Sequence, residues 1–244
     1  MLIKIRNNNR MRIPRIYYPQ NIKPNSLIDL SLASSNHLKV MKLKEGHQVE
    51  IFNGRGCVIS GEIQNIKKNF ITIKLSGIIE KDNSPTFKVN LGVSHIKNFD
   101  KIVKDSSQLG VNSLTSFICD RTKLRDFKKE KFHRWELISA SSCEQSGLNW
   151  IPKISQMQLK DWIETSDFES KFYLDPKAEL SMKDIKISSS INVGIGPEGG
   201  FTELEEDLFK ENGFIGINCG DLIIKTESMP IVVLSMLKIL KEVS

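Results

Sequence analysis

The spacing of hydrophobic positions along the chain changes rhythm near residue 92. Before that point apolar residues come in short runs, at 15–18, 48–52, 58–66, 70–75 and 87–91. Runs of this length, bounded by turn-forming and charged residues, predict β-strands. Asn53-Gly54 predicts a hairpin turn between two of them, and Lys67-Lys68-Asn69 predicts another. A short helix is expected over 33–41, introduced by the cluster Ser31, Ser34 and Ser35. Several strands at this spacing predict a small barrel or sandwich. The polar run Glu80-Lys81-Asp82-Asn83-Ser84-Pro85 reads as a linker, which gives two domains, 1–80 and 85–244.

Beyond Gly92 helical and strand periods alternate. Ile96, Phe99, Ile102, Val103 and Leu109 fall near helical spacing, with Gly110 as the stop. A strand is expected over 113–119, then a helix over 128–146 that buries Phe132, Trp135, Ile138 and Ser142 and ends at Gly147. A third helix is expected over 155–165, and a strand over 171–174 that ends in Asp175-Pro176. The apolar run that opens at Ile191 predicts a buried strand. Thr202 with Glu205 three positions on forms a capping box, so a helix starts there and runs to Asn212-Gly213. A strand over 214–217 follows, and a last helix begins near Pro230, presenting Ile231, Leu234, Leu237, Ile239 and Leu240. Alternation of this kind predicts an α/β domain with a largely parallel sheet.

Composition narrows the class without naming a function. At 244 residues, with 39% hydrophobic and 26% charged residues, the chain can hold two small domains or one large one. The longest apolar stretch, 230–240, is too short to span a bilayer and carries Lys238, so no membrane association is expected. The basic N-terminus lacks an apolar run after it and does not read as a secretory signal. Cys57, Cys119, Cys143 and Cys219 are scattered and form no CxxC, which suggests free thiols and a cytoplasmic location. His37, His47, His95 and His133 show no metal-binding spacing, so no metal site is expected. Charge is more informative. Residues 1–44 hold nine Lys and Arg against the single acid Asp29, while the rest of the chain is nearly neutral. A basic segment of this kind is the footprint of nucleic-acid contact, and equally of an ordinary solvated surface.

The densest chemistry lies between the Ile191 strand and the Thr202 helix, where four glycines (Gly194, Gly196, Gly199 and Gly200) surround Pro197-Glu198. Strand, glycine loop and helix N-terminus form the architecture of a cofactor site, because glycine lets a ligand approach the backbone. Gly194-x-Gly196-x-x-Gly199 matches the dinucleotide fingerprint by letter. Its context opposes that reading. Only 44 residues follow Gly200, no acid closes the next strand, and Pro197-Glu198 stands where a pyrophosphate should lie. Three late strand ends could instead meet at one site: 174–176, 194–200 and 218–227.

Those loops carry a family likeness. Ile195-Gly196-Pro197-Glu198-Gly199-Gly200-Phe201, followed by Cys219-Gly220-Asp221-Leu222-Ile223-Ile224-Lys225-Thr226-Glu227-Ser228, resembles the signature of the 16S ribosomal RNA uridine-N3 methyltransferases. These belong to the SPOUT superfamily of α/β-knot methyltransferases. The likeness extends to Arg134-Trp135, Glu144-Gln145-Ser146-Gly147, Leu109-Gly110-Val111 and Pro14-Arg15-Ile16-Tyr17-Tyr18, and so covers nearly the whole chain. It implies an N-terminal PUA-like RNA-binding β-barrel and a C-terminal domain with a deep trefoil knot. It also implies S-adenosylmethionine bound in the knot, small-subunit 16S rRNA as partner, and a homodimer.

The resemblance implies roles for particular residues. Gly194, Gly196, Pro197, Gly199, Gly200, Cys219, Gly220 and Thr226 would hold the cofactor, with Leu174, Ile223 and Ile224 as its apolar wall. Glu198 would orient the cofactor or the uracil, and Glu198 or Glu227 would assist loss of the N3 proton. Lys225 would stabilise the developing oxyanion, and Thr226 would hydrogen-bond in the same loop. Arg12, Arg15, Lys39, Lys42, Arg121 and Lys123 are the expected phosphate contacts. The chain departs from the family at Leu222 and Lys225, where arginines are usual, and at Asp105, Gln108, Leu148 and His95. A non-catalytic RNA-binding or ribosome-assembly factor that keeps the fold is therefore the second reading.

Overall fold

A computed structural model describes residues 13–31, 43–67, 70–82, 85–124 and 130–243. The helix expected over 33–41, and Arg12, Lys39 and Lys42, lie outside the described residues. The chain divides into two compact units, Met1–Asp82 and Asn83–Ser244.

The first unit is a five-stranded sheet of β1 (Arg15–Tyr17), β2 (Leu27–Ser31), β3 (Gln48–Phe52), β4 (Cys57–Ile66) and β5 (Phe70–Lys81). Its order is β1-β3-β4-β5-β2, antiparallel throughout except for β1 beside β3. Alternating β-branched residues build its core: Ile51, Ile59, Ile63, Ile71 and Ile73 are all buried. The β4–β5 ladder shifts register between Val58 and Ser60, where Gly77 takes a φ of +89° that a bulge requires. Two expectations change here. Strand β2 was not anticipated, although Ile28 and Leu30 alternate inward. Strand β5 continues through Lys81, so Glu80 and Lys81 are paired strand residues rather than linker.

The second unit is a six-stranded parallel sheet in the order β11-β9-β10-β6-β7-β8. Its strands are β6 (Lys88–Ser94), β7 (Ser113–Ile118), β8 (Lys153–Gln158), β9 (Ser170–Leu174), β10 (Ser190–Ile195) and β11 (Ile215–Ile217). Helices α1 (Phe99–Gln108), α2 (Glu130–Ser146), α3 (Leu159–Glu164), α4 (Glu203–Glu211) and α5 (Met229–Val243) connect or follow them. Among the described residues no helix is long and apolar enough to cross a membrane.

Both sheet faces are covered, as parallel sheets demand. One face packs Val89, Leu91, Ile191 and Val193 against Ile102, Trp135, Val233 and Leu237. The other gathers aromatic rings: Phe117, Trp162, Tyr173, Phe201, Phe209 and Phe214. The segment 155–165 is a correction. The expected single helix is a strand through Gln158 and then the short α3. As the edge strand, β8 is only half-buried and carries Ser155, Gln156 and Gln158, so no clean alternation marks it. Helix α4 begins as expected, with Thr202 and Glu205 forming both halves of the capping box.

Candidate active site

Strands β9, β10 and β11 lie together at one side of the sheet and run parallel, so their carboxyl ends open onto a common edge. Backbone hydrogen bonds join the loops that leave them. Asp175 N–H donates to Ile217 O at 3.0 Å, Asn218 N–H to Leu180 O at 2.9 Å, and Met182 N–H to Asn218 O at 2.8 Å. The Asn218 side-chain amide reaches Ala178 O at 2.7 Å. Thr226, nearly fully buried, donates its hydroxyl to Gly196 O at 3.1 Å. The three loops anticipated at one site therefore meet.

The glycine loop is a shaped object rather than a flexible tether. Gly200 N–H closes a turn onto Pro197 O at 2.8 Å, with Gly200 at φ +71°. Phe201 then plunges into the aromatic core against Phe117, Tyr173 and Phe209. Its ring lies so close under Gly196 that a Cβ there would sit 3.2 Å away. Gly196 thus lets the Phe201 ring pack close beneath the loop. Gly220 takes φ +102° with nothing within 4 Å of its missing Cβ, which leaves open space beside the 218–228 loop.

Gly194 has a different role from the one expected. It lies buried inside β10, in register with Gly92 of β6 and Tyr173 of β9. A Cβ at Gly194 would stand 3.2 Å from both Trp162 and Phe209, and one at Gly92 only 2.4 Å from Trp162. The absent side chains make room for an indole. Gly194 is thereby accounted for by packing inside the sheet.

The chemical side chains sort by exposure. Pro197 is buried, Leu174, Ile224, Cys219 and Glu227 are half-buried, and Glu198, Gly199 and Lys225 are exposed. Ile223 is 96% exposed and Leu222 82%, so within one chain Ile223 walls nothing. Lys225 O accepts the N–H groups of Ser228 and Met229 at 2.9 and 3.1 Å, so Glu227 stands at the N-terminal turn of α5, where the helix dipole favours a negative charge. Burial pushes the Cys219 thiol up to about 11, so it is neutral near pH 7 and no nucleophile.

Of the described basic residues expected at RNA, only Lys123 is free of strong local ties. Arg15 faces Glu50 across the β1–β3 register, at 2.9 Å, with only 12% of its side chain exposed, and lies over Phe52. Its charge is spent inside the sheet. Arg121 donates to Gly199 O and Phe201 O at 2.5 and 2.9 Å. Lys123 pairs with Glu198 at 3.2 Å, with both side chains mostly exposed, and such a pair is weak.

Sequence reasoning missed the loop after β7 as part of this site. Besides Arg121 and Lys123, Asp120 N–H donates to Glu205 at 2.8 Å, and Thr202 donates its hydroxyl to Asp120 at 3.3 Å. The sequence marks Glu205 only as the capping partner of Thr202; its carboxylate caps α4 with one oxygen and holds Asp120, 85 residues away, with the other. Beside the same loop is His95, buried and hydrogen-bonded through Nδ1 to Ser116 at 2.7 Å. Burial, with Lys131 nearby, lowers its pKa and keeps it neutral near pH 7.

The residues fit a neutral heterocycle and ribose better than a polyphosphate. Backbone groups, glycine turns and apolar side chains (Leu174, Ile224) surround the loops, and Lys225 is the one cation on their three described segments 174–176, 194–200 and 218–227. Comparison with known proteins agrees with that chemistry. The family model described as an RNA methyltransferase domain matches residues 82–238, and that of an RNA methyltransferase PUA domain matches 33–76. Ribosomal RNA small subunit methyltransferase E of Buchnera aphidicola subsp. Schizaphis graminum is 32% identical over 241 residues, covering 94% of this chain and 97% of the relative. A protein of Legionella pneumophila, solved in complex with the bound cofactor SAM, superposes with a TM-score of 0.86 at 28% identity, covering 94% of this chain and 98% of that one. Ribosomal RNA small subunit methyltransferase E of Neisseria gonorrhoeae, bound to S-adenosyl methionine, gives 0.84 at 26%, covering 93% and 98%.

Proposed function

Because this chain belongs to the RNA methyltransferase domain family, we propose that it methylates N3 of a uridine in 16S ribosomal RNA of the small subunit, with S-adenosylmethionine as donor. The observation that carries the reading is the joining of three strand-end loops by Thr226 and Asn218 around the glycine turn 196–200. Relatives with the same architecture over nearly the whole chain are bound to that cofactor.

S-adenosylmethionine, when bound, supplies the electrophilic methyl group. The residues that would hold it are Gly196, Pro197, Gly199, Gly200, Cys219, Gly220, Ile224 and Thr226, with Leu174 as the apolar side. Uracil N3 must lose its proton as the new N–C bond forms, and Glu227 is better placed than Glu198 to accept it. Glu227 is half-buried at the edge of the site, whereas Glu198 is exposed and paired with Lys123. Lys225, exposed beside Thr226, would stabilise the uracil oxygen on which charge develops. Its single ammonium does this without the bidentate grip of arginine.

The N-terminal unit, with its basic excess, is the RNA-binding PUA-like barrel of this reading, and the parallel unit the deep trefoil knot. The working form is a cytoplasmic homodimer. Leu222 and Ile223, apolar and almost fully exposed beside the site, support a second copy that covers them. The departures at Leu222 and Lys225 support the second reading, a non-catalytic RNA-binding or assembly factor.

Nucleoside mass spectrometry of small-subunit rRNA from cells with and without the gene decides between them. Loss of 3-methyluridine that returns on complementation is the expected result. An unchanged level refutes methylation of uridine N3 in this RNA, means another target or a lost activity, and moves the weight to the assembly factor.

A further inference from the structure

We propose that Arg121 is a positioning residue for the cofactor loop: its guanidinium, by bonding the carbonyls of Gly199 and Phe201, holds residues 196–202 in the shape that receives S-adenosylmethionine. The inference rests on the methyltransferase reading and assigns Arg121 away from the RNA backbone, where its charge alone would place it.

The loop is a problem in backbone accounting. It leaves β10 at Ile195 and does not become helix until Glu203, so the carbonyls between have no ladder partners. Two glycines in succession add conformational freedom that the loop must lose to present one surface. One nitrogen of Arg121 meets Gly199 O at 2.5 Å and Phe201 O at 2.9 Å. That one nitrogen of a planar, always-charged group carries two N–H bonds, one for each carbonyl, and charge-assisted bonds of this kind are the stronger ones.

Packing points the same way. The stem of Arg121 lies against Gly199, where a Cβ would stand 3.3 Å from Cδ. A side chain at 199 would press the stem by a few tenths of an ångström, so the glycine lets Arg121 lie close along the loop. Neighbouring residues repeat the attachment: Asp120 to Glu205 and Thr202, and Lys123 to Glu198.

Topology makes these ties opposed. Arg121 comes from the end of β7, on one side of β10, and Thr226 from beyond β11, on the other. Thr226 draws on Gly196 O while Arg121 draws on Gly199 O and Phe201 O. A loop held from both sides is pre-ordered, and binding then costs less conformational entropy.

The test uses the full chain with Arg121→Met and Arg121→Lys. Calorimetric titration with S-adenosylmethionine is expected to show affinity weakened about tenfold or more in Arg121→Met, with partial recovery in Arg121→Lys. KM for S-adenosylmethionine should rise while kcat at saturation falls less. Hydrogen exchange should quicken within 196–202 and not elsewhere. The dependence of RNA binding on salt should keep its slope. The proposal is overturned if Arg121→Met binds S-adenosylmethionine within about twofold of wild type, and a salt slope lower by about one identifies Arg121 as a phosphate contact instead. If Arg121→Met unfolds, the same measurements on Arg121→Lys decide. A wild-type chain that binds no S-adenosylmethionine overturns the methyltransferase reading itself, and this proposal with it.

Discussion

Gly194 of β10 lies in register with Gly92 of β6, and the indole of Trp162 rests on both. Trp162 is 2% exposed and also meets Phe117 and Phe214, so the two glycines are the floor of an aromatic cluster. A glycine that looks like the first letter of a ligand-binding fingerprint is there because a large ring needs its space.

Adding one methyl group at each glycine tests this. Gly92→Ala places a Cβ 2.4 Å from the ring, so the strand or the indole must shift, at a cost of about 1–3 kcal/mol. Gly194→Ala, at 3.2 Å, should cost less. Thermal melts should rank them in that order. Gly194→Ala should change the melting temperature rather than the affinity for S-adenosylmethionine.

Thr226 joins two loops through one hydroxyl. Thr226→Val keeps the shape but leaves Gly196 O without its donor, and a lost bond of this kind costs about 1 kcal/mol. Weaker S-adenosylmethionine binding should accompany that loss, and Thr226→Ser should restore both. Equal binding by the valine variant would show that Gly196 holds its place without this tie.

Lys225 and Glu227 sit at the surface of the site rather than in the core. Lys225→Met should therefore leave the melting temperature nearly unchanged, since exposed substitutions cost within about 0.5 kcal/mol. Glu227→Gln, half-buried at the start of α5, gives up a helix-dipole interaction of about 0.3–1 kcal/mol. Single-turnover methyl transfer should fall by about 100-fold or more in each if they act on the uracil. Glu198→Gln should fall less, because its carboxylate is exposed and engaged with Lys123. Wild-type turnover in both Lys225→Met and Glu227→Gln would remove them from the chemistry.

His95 makes stability depend on pH. Burial, and then Lys131, hold its folded pKa below 6.5, so below that pH the unfolded chain takes up a proton the folded one resists. The contribution is present above pH 6.5 and is lost as pH falls through the folded value. Urea midpoints should therefore drop between pH 7.5 and 5.5, and His95→Gln should flatten that drop. An unchanged slope would place the acid sensitivity elsewhere.

Much of this was legible in local pattern. The capping box at Thr202 and Glu205, the stops at Gly110 and Gly147 and the buried run at Ile191 are short-range signals, each decided by a few neighbouring residues. The edge strand β8 was not legible, because a half-buried strand with polar residues on both sides lacks a period to read.

The family likeness was determined by the sequence alone, since residue types and their order carry it. The sequence offered 174–176, 194–200 and 218–227 as loops that could meet, and strand order brought them together. What individual glycines and arginines do was decided only by tertiary structure. Gly194 and Gly196 are both glycines of one motif, yet one makes room for Trp162 and the other for Phe201. Arg15 and Arg121 carry equal charge, yet one neutralises Glu50 across a strand pair and the other binds two loop carbonyls. The reason is physical. A residue's charge and conformational freedom are local properties, but its partner is set by strand order and register, which bring together positions such as Arg121 and Gly199 that are far apart in the chain.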